Sequence, residues 1–277
     1  MSDHKIPLAG VIGAPIAHSK SPRLHGHWLR TYGIAGHYVP LHVEPDDLET
    51  VLRTLPKMGF RGVNITIPHK VAALEIADQI TDRATLIGAA NTLTFRADGK
   101  IHADNTDGYG FLENLKQGAP GWKPNAGPAL VLGAGGAARA VIVALMEAGA
   151  MDIILTNRTR PKADELRAAF GKKVRVVDWV KAGNAMEQAA TVVNTTSLGM
   201  VGAPEFRVPL DGLRPGTVVT DIVYAPLRTK LLEAADAAGC ITVDGLGMLL
   251  HQGVPGFERW FGVRPEVDVN TRAAVLG

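Results

Sequence analysis

A chain of 277 residues is longer than one typical core of about 100–150 residues, so two domains are expected. Hydrophobic residues make up 46% and charged residues 20%, the make-up of a soluble globular protein, and a net charge of +2 gives no basis for binding nucleic acid or a membrane surface. Cys240 is the single cysteine, which excludes an internal disulfide framework and a cysteine metal site and fits a reducing cytoplasm.

The opening stretch MSDHKIPLAGVIGAPIAHSK is broken by Gly and Pro, so no signal peptide is expected there. No run approaches the roughly 18 apolar residues of a membrane helix. Strands are predicted at 7–12 (PLAGVI), 37–43 (HYVPLHV) and 61–67 (RGVNITI), with helical patterns near 22–32 and 45–58 between them. Such alternation argues for a mainly parallel sheet.

In HSKSP, residues 18–22, Pro22 suits the first turn of a helix and Ser21 suits its N-cap. That accounts for Ser21 but not for Ser19, and two hydroxyls beside a helix N-terminus also suit a carboxylate ligand. In NITIPHK, residues 64–70, a helix is predicted over 68–79, beginning at Pro68. Lys70 then stands in its first turn, where a cation opposes the helix dipole. It is either an exposed side chain or a working acid. Asn64 and Thr66 alternate along the preceding strand, opposite Val63, Ile65 and Ile67, so a polar face there marks a ligand or an exposed edge.

Residues 92–103 (TLTFRADGKIHA) predict a hairpin turning at Asp98-Gly99. Asn91 precedes it. Asn105-Thr106-Asp107 opens a helix over 107–117, where Asp107 is an N-cap or a carboxylate partner for Lys70; spacing does not choose between them. The run GAPGWKPNAGP at 118–128 is too rich in Gly and Pro for helix or central strand and places the domain boundary there, between 1–118 and 119–245.

Six further strands are predicted at 129–132, 152–156, 173–177, 191–194, 217–223 and 240–243, with helices at 136–148, 161–170 and 227–238. A last helix, about 246–261, precedes a C-terminal tail, and residues 246–277 are expected to pack back onto the first domain. The fold class is therefore α/β: an N-terminal α/β domain with a mainly parallel sheet, a Rossmann-type domain, and a cleft between them.

After the strand ALVL comes Gly133-Ala134-Gly135-Gly136-Ala137-Ala138-Arg139. Gly133, Gly135 and Ala138 fit the spacing of a dinucleotide loop: a tight turn, close approach of phosphate to backbone, and close packing of helix on strand. The following helix points its N-terminus at a pyrophosphate. About 20 residues on, an NAD site would carry an acidic residue for the ribose 2′-hydroxyl. Here stand Asn157, Arg158 and Thr159, with Lys162 close behind, which favours the 2′-phosphate of NADP. The nine histidines form no metal set; His25 and His27, two apart on a helix, face different ways.

Together HSKSP (18–22), NITIPHK (64–70), GAANTL (88–93), DNTDGYG (104–110), GAGGAAR (133–139), NRT (157–159), NTTSLGM (194–200), DIVYAPLRT (221–229) and GMLLHQG (247–253) resemble the shikimate dehydrogenases, in order and over nearly the whole chain. The resemblance implies reversible reduction of 3-dehydroshikimate to shikimate with NADPH, in the cytoplasm, within aromatic amino acid biosynthesis. It implies Lys70 and Asp107 as the catalytic pair. It implies Ser19 and Ser21 for the substrate carboxylate, and Asn64, Thr66, Asn91, Tyr224 and Gln252 as further substrate contacts. For the cofactor it implies the 133–137 loop, Asn157 to Lys162, Ile222 and Gly245, with Asp82 and Met248 beside them. Lys162 stands where relatives often carry arginine, which keeps the charge but loses the fork, so 2′-phosphate binding would rest mainly on Arg158. Two alternatives stay open: a quinate/shikimate dehydrogenase of broader specificity using NAD, and a non-catalytic sensor of NADP and a ring acid. The implied partner is a small molecule. A homodimer is a further expectation.

Overall fold

The computed structural model describes residues 6–277. The chain forms two compact units, Met1–Thr106 with Leu250–Gly277, and Asp107–Leu249. The first unit is built on a six-stranded sheet of β1 (Leu8–Gly13), β2 (His37–His42), β3 (Phe60–Ile65), β4 (Gln79–Ile80), β5 (Thr92–Phe95) and β6 (Ile101–Asp104). Their spatial order is β2-β1-β3-β5-β6-β4. Strands β1, β2 and β3 run parallel, while β5 pairs antiparallel with both β3 and β6. Ile12, Val63, Ile65, Leu93 and Ile101 from these strands close over Leu48 and Leu52 from the helix Leu48–Thr54. Each such side chain contributes about 1.5–3 kcal/mol on burial.

The second unit holds β7 (Ala129–Leu132), β8 (Ile153–Asn157), β9 (Val174–Asp178), β10 (Thr191–Asn194), β11 (Val218–Asp221) and β12 (Ile241–Val243), ordered β12-β11-β10-β7-β8-β9. All pairings are parallel. Short runs such as ALVL and TVVN are buried throughout, as strands covered on both faces must be. The order reverses between β7 and β10, which is where an open α/β sheet offers a crevice at its strands' carboxyl ends.

Several elements differ from the sequence expectations. The pattern at 45–58 is three pieces, 3-10 turns at Pro45–Asp47 and Leu55–Met58 flanking a short helix, because Pro45 and Pro56 interrupt it. The helix expected over 68–79 is Lys70–Ile76. Residues 66–69 instead close a turn, His69 N–H donating to Thr66 O at 3.0 Å. Beyond Ile76 the chain is drawn out by Asp78, whose carboxylate accepts from Ile101 N–H at 2.8 Å and from Arg53 at 2.8 Å. The expected C-terminal tail contains a helix, Val269–Leu276, capped by Asp268 through Thr271 N–H at 2.8 Å.

The chain leaves the first unit at 106/107 and returns at 249/250, rather than at 118/119 and 245/246. Helix Asp107–Gly118 packs on helix Gly136–Ala148, where a Cβ on Gly108 would come within 3.0 Å of Ala140 O and 3.2 Å of Ala144 Cβ. The Gly/Pro run 118–128 is thus a loop inside a unit. Leu250–Gly277 belongs with the first unit: Trp260 Nε1 donates to Leu93 O at 3.1 Å, and Lys20 Nζ to Val275 O at 3.1 Å. No helix among the described residues is long and apolar enough to cross a membrane.

Candidate functional site

In the first unit, Asn64, Asn91 and Gln252 among the expected substrate residues are linked by hydrogen bonds. Asn64, near the end of β3, donates from Nδ2 to Asn91 O at 3.1 Å and to Thr92 Oγ1 at 3.3 Å. Asn91 donates from Nδ2 to Gln252 Oε1 at 3.2 Å, and its Oδ1 accepts from Thr106 N–H at 2.8 Å. Thr106 Oγ1 donates to Gln252 O at 2.9 Å. Three distant segments, 64, 91–92 and 106, are therefore tied to the helix Leu246–Phe261 that carries Gln252. Asn64, Asn91, Thr92 and Thr106 are all buried, so each polar atom needs such a partner.

Thr66 lies one residue beyond β3. It is half-buried, and its N–H donates to Ile12 O at 2.9 Å. Lys70 opens the helix Lys70–Ile76 and is half-buried rather than fully exposed. Its backbone O accepts from Ala90 N–H at 2.8 Å, which fixes this helix start beside the segment leading into Asn91. Asp107, also half-buried, is the first residue of its helix rather than its N-cap and directly follows Thr106.

The serine assignments are reversed by the backbone. The helix is Ser21–Thr31 with Lys20 at the N-cap, so Ser21 does not cap it. Ser19 Oγ instead accepts from Ser21 N–H at 3.3 Å. Ser21 is buried. Asp82 is exposed in the first turn of Asp82–Ile87, a helix capped by Thr81, and a dipole-favoured surface acid accounts for it. It belongs to the first unit, unlike the other expected cofactor residues.

In the second unit, β7 runs into Gly133, whose φ of +108° favours glycine, and a Cβ there would come within 2.7 Å of Thr195 Oγ1. Gly135 caps the helix Gly136–Ala148, and at both Gly135 and Gly136 a Cβ would meet nothing within 4 Å. Open space thus faces a helix N-terminus whose N–H groups are free to bind an anion. Ala138 is fully buried at the helix–strand contact. At the end of β8, Asn157 Oδ1 accepts from Ala134 N–H at 3.2 Å while its Nδ2 donates to Thr159 O at 2.8 Å, bridging the loop to the following segment. Arg158, Thr159 and Lys162 are exposed. Arg160 is engaged by Asp164 and Asp178. These residues fit the phosphates of NADP: a backbone cradle, an open N-terminus and unburied cations, with no carboxylate among 157–159.

At the carboxyl ends of β10 and β11, Asp221 organises the neighbouring loops. Its Oδ1 accepts from Asn194 Nδ2 at 2.9 Å and Val223 N–H at 3.0 Å, and its Oδ2 from Thr229 Oγ1 at 2.7 Å. Burial raises its pKa to about 6, and those three neutral donors only partly offset it. Ile222 follows it. Gly245 packs so tightly on this backbone that a Cβ would lie 2.4 Å from Ile222 O, which brings two expected cofactor residues together. Tyr224 and Met248 are half-buried in the same unit, and burial pushes the Tyr224 phenol up.

Sequence reasoning missed Tyr38, Thr92, Asp221 and the buried Asp104. The signal for Asp221 was present: an acid closing the apolar strand TVVTD. Asp104 likewise ends β6. Nothing in HYVPLHV distinguishes Tyr38.

A parallel sheet in this order, with a glycine loop and open helix N-terminus at its switch point, in one chain with an α/β unit carrying a buried polar cluster, defines a two-domain dinucleotide-binding protein. Three family profiles match: the shikimate dehydrogenase substrate binding domain over residues 11–93, shikimate/quinate 5-dehydrogenase over 122–201, and the shikimate 5′-dehydrogenase C-terminal domain over 245–274. The chain is 69% identical, over the full length of both, to a shikimate dehydrogenase (NADP(+)) of Roseobacter denitrificans. It is 70% identical to one of Cereibacter sphaeroides over 98% of each. Among solved structures, the shikimate 5-dehydrogenase of Thermus thermophilus in complex with NADP(H) and shikimate superposes with a TM-score of 0.87 at 38% identity, over 98% of this chain and 99% of that one. A quinate dehydrogenase from Corynebacterium glutamicum in complex with NAD gives 0.89 at 33%, over 98% and 99%. The chain belongs to the shikimate dehydrogenase family.

Proposed function

We propose that this protein catalyses the reversible NADP-dependent reduction of 3-dehydroshikimate to shikimate. The observation that carries this is full-length identity of 69% to an NADP-dependent shikimate dehydrogenase. The site's chemistry supports it. NADPH, when bound, supplies the hydride. The chain's own residues bind the ring, hold it still and manage one proton.

Ser19 and Ser21, at the start of the eleven-residue helix Ser21–Thr31, receive the substrate carboxylate with help from the dipole. Asn64, Thr66, Asn91 and Gln252 line up with the ring hydroxyls, and Tyr224 is a further contact. Most of these groups are already fixed by mutual hydrogen bonds, so little ordering cost remains at binding. Lys70 stabilises the negative charge that grows on the ketone oxygen and donates the proton. Asp107 is its partner in the catalytic pair. In the oxidising direction Lys70 accepts the proton.

On the cofactor side, the Gly133–Ala137 loop takes the pyrophosphate, Asn157 braces the loop, and Arg158 with Lys162 takes the 2′-phosphate. Ile222, Gly245 and Met248 lie along the nicotinamide end, and Asp82 is retained only as a peripheral contact. A homodimer and a reducing cytoplasm complete the reading; sedimentation of the purified protein tests the former.

The similarity to an NAD-containing quinate dehydrogenase favours a second reading, a broader quinate/shikimate enzyme. The Asn157-Arg158-Thr159 segment argues against NAD. Initial rates with shikimate and NADP⁺, read at the nicotinamide absorbance, test the first reading. Substituting quinate and NAD⁺ tests the second. No turnover with either pair would leave a sensor.

A further inference from the structure

Tyr38 stands on β2, outside every segment that suggested function, yet its phenol reaches one of the proposed substrate residues. Oη lies 2.7 Å from Asn64 Oδ1 in a buried contact. The ring is stacked on His25 with centroids 3.9 Å apart and planes 3° from parallel. His25 is in turn edge-on to Trp28 at 5.4 Å and tilted against Phe257 at 5.8 Å. Both His25 ring nitrogens are buried without a hydrogen-bond partner, and burial lowers its pKa to about 3. The imidazole is therefore neutral, and it serves as a flat packing surface that holds the phenol's plane.

The protons in this chain can be assigned by elimination. Asn91 O is a carbonyl and only accepts, so the Asn64 group facing it is Nδ2. That orients Oδ1 toward Tyr38, so the phenol must donate. Its single proton is then used. Asn64 has both N–H groups engaged, on Asn91 O and Thr92 Oγ1. One lone pair of Oδ1 is all it has left to offer.

We propose that Tyr38 is a positioning residue for the substrate: it fixes Asn64 as an acceptor for a ring hydroxyl. This rests on the reading of Asn64 as a substrate contact. It narrows that reading, because Asn64 then does not donate to the ring. Tyr38 itself touches neither substrate nor cofactor.

The test is a double-mutant cycle in the full-length enzyme on Tyr38→Phe and Asn64→Ala, with shikimate and NADP⁺ as the probes. Tyr38→Phe removes only the hydroxyl and is expected to raise the KM for shikimate about tenfold, the scale of one buried hydrogen bond lost. The KM for NADP⁺ should stay within about twofold and kcat within about threefold. In the Asn64→Ala background the same change should cost less than about twofold, because its route is gone. An unchanged shikimate KM in Tyr38→Phe, equal penalties in both backgrounds, or a rise in both KM values together would overturn the proposal. If Asn64→Ala itself leaves the shikimate KM unaltered, the substrate-site reading falls first and takes the proposal with it. Should Asn64→Ala fail to fold, the contrast between the two KM values in Tyr38→Phe alone decides.

Discussion

Asp104 and Asp221 are the same residue at the same kind of place, the last position of a strand, each with no exposed surface, one in each unit. Their surroundings make them opposites. Asp104 accepts from Arg259 at 2.6 Å and Arg83 at 3.1 Å, and from Thr81 at 2.9 Å. Burial alone would raise its pKa, but the two guanidinium groups outweigh burial and lower it to about 2. Asp221 has neutral donors only, and burial takes it to about 6. Hydrogen bonds satisfy both carboxylates; the neighbouring guanidinium charges are what make Asp104 so much more readily ionised than Asp221. The difference extends to the units around them. The first unit joins its candidate site residues by buried hydrogen bonds, so substitutions there should disturb folding as well as binding. The second presents Arg158 and Lys162 exposed, and their loss should leave folding unaltered.

The comparison breaks most visibly at Asp104. Asp104→Asn leaves Arg83 and Arg259 without their counter-charge and should cost about 3 kcal/mol of folding stability in denaturant titration. That is the low end for a broken buried pair, because each arginine is one third exposed and can rehydrate. The wild-type contribution is full above pH 3.8 and is lost as pH falls through about 2.

Asp221 should show the reverse slope. Its folded pKa is raised, so its stabilising share is full below pH 3.8 and disappears as pH rises through about 6. Across that window the loss is about 2–3 kcal/mol. Asp221→Asn keeps acceptors for Asn194 and Val223 and should flatten this slope, measured as melting temperature against pH. An unaltered slope would show that another group sets it.

Arg158→Ala sharpens the contrast with the smallest change. An exposed cation contributes nothing to the core, so the melting temperature should stay put. The KM for NADP⁺ should rise on the order of tenfold to a hundredfold, with little effect on NAD⁺. Equal losses for both nucleotides would remove Arg158 from the 2′-phosphate site.

Much of the second unit was legible because its signals are local. The spacing Gly133-x-Gly135-x-x-Ala138 between an apolar strand and an apolar helix requires no distant partner, and the same holds for the turn at Asp98-Gly99, where Gly99 has φ +83°. The helix Leu246–Phe261 was readable to its ends from periodicity, despite Pro255 within it. What escaped depends on tertiary contacts. The two-residue strand β4 exists because Asp78 docks beside β6, and Lys70 rather than Pro68 begins its helix because the preceding residues are held in a turn. Among candidate site residues, those expected from the sequence lie in recognisable segments. Tyr38 was not among them, because the role proposed for it lies in what it touches, Asn64 on another strand.

The central claim is that a lysine of the first unit handles the proton in an NADP-linked oxidation. The most direct measurement is kcat for shikimate oxidation by Lys70→Ala beside the wild type, with NADPH affinity measured by direct binding on the same samples. The account predicts a fall of about 10²–10⁴-fold in kcat with NADPH affinity unchanged. A near-normal kcat would contradict it.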